Sequence, residues 1–232
     1  MIKSYCISGD SWGCGEWIDT DNFYPGGKQY DLQRLLLSSG AIVGDVSIPA
    51  AHNLETIRKL EEFLKNSPID FDYIIWFQSD PLRRPEFVNK LHTAKDFSLD
   101  YNFFVNESNR YLHEDYSKLN SIGKKIFCVG GLSKLNTMLM SQHSNLVPLV
   151  ESFPEFLYPN IEHPNLCIGN WMLHINRQVS LAELDLIHQD HINMTQWSTK
   201  EFSTFFKQGD GHPNKFGYKK LTDFILNNIS NF

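Results

Sequence analysis

Apolar segments of strand length recur along this chain, and most are followed by a stretch with helical spacing. The pairs are residues 2–8 with 29–38, and 41–48 with 53–65; "FDYIIWF" (71–77) and "KIFCVGG" (125–131) come later. "SKLNTMLMSQ" supplies a helical pattern after the fourth run, and "NLVPLV" (145–150) reads as a fifth, weaker strand. Strands apolar on every residue belong to a parallel sheet buried on both faces. The expected fold is therefore α/β, a three-layer α/β/α sandwich on a five-stranded parallel sheet, which brings the two ends of the chain to one edge if its strand order is flavodoxin-like.

The final helix is the best marked, with Leu221, Phe224, Ile225 and Ile229 on one stripe and Pro213 placed as a first-turn proline. Between the third and fourth strands, about 79–123 reads as an insertion rich in charges and aromatics. A single domain spanning 1–232 is expected, because 232 residues with 41% hydrophobic content suffice for one large core. In such folds ligands bind at the carboxyl ends of the strands, so chemistry is sought there.

Two motifs fall at those ends. "SGDSWG" follows the first strand and places Ser11 after an apolar run; "GDGHPNKFGY" (209–218) opens the final helix with Asp210 and His212. Serine is a weak nucleophile at its own pKa and needs a hydrogen-bonded base, which a histidine at that junction would supply.

An N-terminal Gly-Asp-Ser with a C-terminal Asp-x-His-Pro resembles the SGNH hydrolases, also called GDSL esterases and lipases. The resemblance spans the chain. It implies the three-layer fold and hydrolysis of acyl esters by serine and histidine without a cofactor. Ser11 would be nucleophile and one backbone oxyanion donor, His212 the base, and Asp210 or a backbone carbonyl its orienting acceptor. The family's second block is similar to "SIPAAHN" (47–53), with Ala50 at the oxyanion glycine and Asn53 at its end. The third is similar to "FQSDPLRR" (77–84), which matches Asp80 but has Ser79 where the oxyanion asparagine belongs. A serine hydroxyl is shorter than a carboxamide, so Gln78 is an alternative donor. The fifth block departs as well, since Gly209 occupies the aspartate's usual position and Asp210 lies one residue later.

Asp10, Trp12, Asn53, Asp80 and Arg83 complete the expected substrate-binding set. Arg83 and Arg84 would meet an anionic substrate or pair with Asp80 or Glu86; Trp12, Trp17, Phe23 and Tyr24 would wall a pocket or cap the sheet. The expected substrate is a short acyl, acetyl-like ester of a carbohydrate or small metabolite. Transfer to a sugar would use the same residues, and a binding module that has lost turnover is the alternative from another class.

The formal net charge of -6, with scattered Lys and Arg, argues against a nucleic-acid partner. No apolar run approaches membrane-span length, and the start of the chain lacks the pattern of a signal peptide, so a cytoplasmic protein is expected. The four cysteines show no CxxC spacing and read as reduced, structural thiols. His188 and His191, with His174 and Asp185 in reach, read as a solvated polar face rather than metal ligands.

Overall fold

The computed structural model describes residues 2–14, 32–48, 51–93, 101–131, 133–159, 200–206 and 212–231. Five parallel strands form one sheet: β1 (Ser4–Ser8), β2 (Ile42–Asp45), β3 (Tyr73–Gln78), β4 (Ile126–Gly130) and β5 (Leu146–Val150). Their order is β2-β1-β3-β4-β5, which is flavodoxin-like.

The alternation of a β-strand sends successive side chains to opposite faces, and both faces here are apolar. Cys6, Ile74, Trp76, Ile126 and Cys128 point one way, into a core shared with α3 (Asn53–Asn66), α4 (Pro85–Thr93) and α5 (Tyr101–Ser121). Tyr5, Ile7, Ile75, Phe77, Phe127 and Val129 point the other way, onto α2 (Leu32–Ser38), α7 (Phe153–Leu157) and α8 (Lys215–Asn228). Helices thus cover both sides, and the expected α/β/α sandwich is present. Two short helices, α1 (Ser11–Cys14) and α6 (Thr137–Met140), follow β1 and β4.

The stretch 79–123 differs from the insertion expected of it. It holds a 3-10 turn (Pro81–Arg83), α4 and the 21-residue α5. Phe104, Tyr111, Leu112, Tyr116 and Leu119 form a buried stripe on α5 that packs on the sheet. The segment is thus a layer of the sandwich, hidden in the sequence by the charges on the helix's other face.

Pro213 also departs from expectation. Asn214 is the N-cap of α8, and its Oδ1 accepts from Phe216 N and Gly217 N. The proline precedes that cap and forms a bridge with Phe206. An N-cap residue has non-helical backbone, and Asn214 is extended, with φ -86° and ψ -176°. Cys6 and Cys128 are free and buried, in keeping with structural thiols. Among the described residues, no helix is long and apolar enough to cross a membrane.

Candidate active site

Gly9, at the end of β1, runs so close to β3 that a Cβ there would meet Phe77 Cβ at 2.6 Å. Only glycine lets the chain turn at that distance. Asp10 then fixes the turn: its Oδ1 accepts Trp12 N–H at 3.0 Å while its carbonyl accepts Gly13 N–H at 2.9 Å. This side-chain cap starts α1 at Ser11, whose backbone alone is described. Asp10, expected to touch substrate, is fully buried and acts as a brace for the turn that carries Ser11.

Trp12 is likewise 2% exposed. Its ring packs edge-on against Phe153 and Phe206, and Tyr218 Oη donates to its carbonyl at 3.1 Å. Its faces meet protein, so of the two uses expected for it the cap on the sheet's end is the one observed. Trp17, Phe23 and Tyr24 lie outside the described residues.

The second block runs alongside this turn. Val46 N–H donates to Ile7 O and Ile48 N–H to Gly9 O at 2.8 Å, which extends the pairing of β1 and β2 past the strand ends. Ala50 lies outside the described residues. Asn53, the first residue of α3, turns its buried carboxamide to β3: Oδ1 accepts Ser79 N–H at 2.7 Å, and Nδ2 donates to Ser79 O at 3.4 Å. It clamps the backbone of the third block, a role that its place in the sequence does not reveal.

At the end of β3, Gln78 and Ser79 are both fully buried and point to different partners. Gln78 Nε2 donates to Ser133 Oγ and to Lys134 O, each at 2.8 Å, while Oε1 accepts from Tyr116 Oη at 2.6 Å. Both amide hydrogens and the carbonyl are thereby committed between β4 and α5. Ser79 Oγ lies 3.5 Å from Arg83 Nη1, and Ser133 Oγ donates to the Ser79 carbonyl at 3.0 Å. Asp80 is 4% exposed and caps the 3-10 turn, accepting Leu82 N–H at 2.9 Å.

That turn brings Arg83 back over the site. Its Nη1 is 3.5 Å from Asp10 Oδ2, with the arginine side chain 31% exposed and the aspartate's fully buried. Burial pushes the Asp10 carboxyl up to about 6, against the opposing pull of Arg83, the Trp12 N–H and the Ser79 hydroxyl. Arg84 turns inward instead, to an ion pair with Asp115, fully buried on α5, and a looser one with Glu114 at 3.4 Å. Its guanidinium also stacks 5.0 Å from the Tyr111 ring centre. Asp115 too is raised by burial, to about 6, with Arg84 and the Asn53 carboxamide favouring its charged form. Surface pairing of these arginines with Asp80 or Glu86 is thus replaced by pairing with two buried carboxylates.

His212 arrives from the other end of the chain. Its ring centre lies 5.5 Å from that of Trp12, the residue after Ser11. Asn214 holds the junction by donating to Ser203 O and Thr204 O at 3.0 and 3.1 Å, and its own N–H donates to Phe205 O. Asp210 lies outside the described residues, as do His174, Asp185, His188 and His191. Among the described residues, no group of three or more His, Cys, Asp or Glu is arranged to hold a metal ion.

The arrangement therefore gathers the turn carrying Ser11, the end of β3 and the histidine before α8 at the carboxyl edge of a parallel sheet, where such folds bind ligands. Sequence reading missed Asp115 and Tyr116, which stand in no motif, and Ser133, which follows the Gly130-Gly131 pair that ends the fourth apolar run. For the two on α5 the signal is the helical spacing of Ser108, Tyr111, Leu112 and Asp115, all buried on that helix.

No protein-family model matches the chain, and no curated protein matches it. Among solved structures it is similar to a lipolytic G-D-S-L family protein from Veillonella parvula, at 14% identity over 100% of both chains and a TM-score of 0.43. It is similar as well to a lipase/acylhydrolase from Enterococcus faecalis, at 13% identity over 99% and 96% of the two chains and a TM-score of 0.36. An acetylxylan esterase from Geobacillus stearothermophilus shares 15% identity over 97% and 93%, also with a TM-score of 0.36. These likenesses are distant, and the fold assignment rests on the strand order and the two covered faces.

Proposed function

We propose that the protein is a serine ester hydrolase of the SGNH type, acting on a short acyl ester of a small or carbohydrate alcohol. The observation that carries this reading is the approach of His212 to Trp12, which brings the C-terminal histidine motif to the turn that begins with Ser11. A core serine and a helix-capping loop have no structural need to meet there.

In this reading Ser11 Oγ attacks the ester carbonyl carbon as His212 takes its proton. The carbonyl π pair moves onto oxygen, giving a tetrahedral oxyanion. Collapse restores the carbonyl and breaks the bond to the alcohol oxygen, which leaves with the proton from His212. Water then repeats the sequence on the acyl-enzyme, returning the carboxylic acid and free Ser11. By the family resemblance, the oxyanion would be met by the backbone N–H groups of Ser11 and Ala50, and Asp210 or a backbone carbonyl would orient His212; Ser79 follows β3 beside the turn that carries Ser11. Asn53 and Asp10 hold two walls of the site in place. The acetyl-like acyl group follows from the family resemblance alone, and transfer to a sugar hydroxyl in place of water would use the same residues.

Hydrolysis of p-nitrophenyl acetate tests it. Ser11→Ala and His212→Ala are each expected to remove nearly all turnover, and the double variant to lose little more, because the two act as a unit. Wild-type turnover in folded Ser11→Ala contradicts the proposal.

A further inference from the structure

The side-chain donor for the oxyanion is the part of the site least accounted for. The family-like asparagine is absent from position 79, and the Gln78 carboxamide is fully engaged by Ser133, Lys134 and Tyr116. The Ser79 hydroxyl lies against Asp10, whose charged form it favours. Its Oγ also ends a bond short of the point that an asparagine amide nitrogen would reach.

Arg83 Nη1 stands 3.5 Å from that Oγ. The guanidinium is anchored on one side only, by Asp10 and Ser79 through Nη1. Its Nη2 and Nε have no partner among the described residues, and the side chain is 31% exposed, whereas the rest of the cluster is sealed. A guanidinium has five donors in a rigid planar fork, so with Nη1 turned toward Asp10 and Ser79 the remaining nitrogens lie on the side away from them. The same turn that starts α1 at Ser11 is braced by the carboxylate that holds Arg83.

We infer that Arg83 is the side-chain oxyanion donor of this site, taking the place of the missing asparagine with a charged N–H fixed by Asp10 and Ser79. The inference rests on the esterase reading above and makes Arg83 a catalytic residue within it. Negative charge appears on the carbonyl oxygen only as Ser11 attacks, so a donor fixed beforehand stabilises the transition state more than the bound ester. A cationic donor strengthens that difference, since charge-assisted hydrogen bonds are roughly twice as strong as neutral ones.

The test is steady-state kinetics on p-nitrophenyl acetate, a neutral ester, with wild type, Ser11→Ala, Arg83→Ala, Arg83→Lys and the double variant Ser79→Asn/Arg83→Ala. Arg83→Ala is expected to lower kcat by about 100-fold or more with KM within about threefold, as removal of an oxyanion donor does. Millimolar guanidinium added to Arg83→Ala is expected to restore part of kcat, and Ser79→Asn in that background to recover at least about tenfold by returning a carboxamide to the vacated space. Rescue by either route separates donation from a structural role. Arg83→Lys keeps the charge but not the fork and is expected to fall between wild type and alanine.

Folded Arg83→Ala with kcat within about threefold of wild type overturns the inference, as does a loss confined to KM, which would make Arg83 a substrate anchor. If the alanine variant does not fold, Arg83→Lys with unaltered kcat overturns it equally. Activity abolished by Ser11→Ala but untouched by Arg83→Ala contradicts this inference alone. Activity that survives Ser11→Ala removes the esterase reading and the inference together.

Discussion

Arg83 and Asp10 meet at 3.5 Å across the border between solvent and core, with the carboxylate fully buried and the guanidinium side chain 31% exposed. The pair links the 3-10 turn after β3 to the turn after β1. A carboxylate kept out of water also stores a dependence on pH.

Asp10 titrates at about 6 in the folded protein, pushed up by burial, against about 3.9 for an unfolded aspartate. Between those values the folded state holds the extra proton, so stability falls as pH rises through the window from about 4 to 6. Asp10→Asn keeps the acceptor for Trp12 N–H and removes the titration. Its stability relative to wild type should therefore increase between pH 4 and pH 7, by on the order of 2 kcal/mol. Urea unfolding of both proteins at the two pH values checks this; a constant difference contradicts it.

Asn53→Ala should destabilise the protein by about 1–3 kcal/mol, because Ser79 N–H would be left buried with no acceptor. Chemical denaturation measures the loss. The effect should be larger than that of Asn66→Ala at the exposed end of the same helix, where Nδ2 reaches only Glu62 O.

Breaking the buried ion pair from one side is expected to be costly. Asp115→Ala leaves the Arg84 guanidinium, only 4% exposed, with just the looser pair to the half-exposed Glu114, and should cost about 3 kcal/mol. In a double-mutant cycle, Arg84→Met with Asp115→Leu should cost clearly less than the sum of the single changes, because neither charge is then left alone. Additive losses would show that the pair does not couple.

The sheet was legible in the sequence because parallel strands buried on both faces are written as continuous apolar runs, and Ile74–Phe77 and Ile126–Val129 are such runs. The edge strands are written less plainly: β5 carries Pro148 within its run, and β2 is half-buried with Ile42 45% exposed. The layer formed by α5 was not legible, since Ser108 and Asp115 interrupt its apolar stripe with buried polar residues. In the site, Ser11 and His212 could be singled out because each stands in a local motif. Gln78 could not be placed, because its direction is decided by Tyr116, Ser133 and Lys134, 38 to 56 positions away. The choice of Arg83 for Asp10 and Arg84 for Asp115 is likewise made by tertiary packing, as the two arginines are neighbours of identical chemistry.

Covalent labelling distinguishes an activated Ser11 nucleophile from an inert serine. A fluorophosphonate phosphonylates a serine, with loss of fluoride, when a nearby base takes the serine proton and the developing charge is held. Incubation with the folded protein followed by tryptic mass spectrometry should find one label, on Ser11, and none in His212→Ala. A label on another residue, or a folded protein that hydrolyses p-nitrophenyl acetate yet takes up no label, would contradict the account.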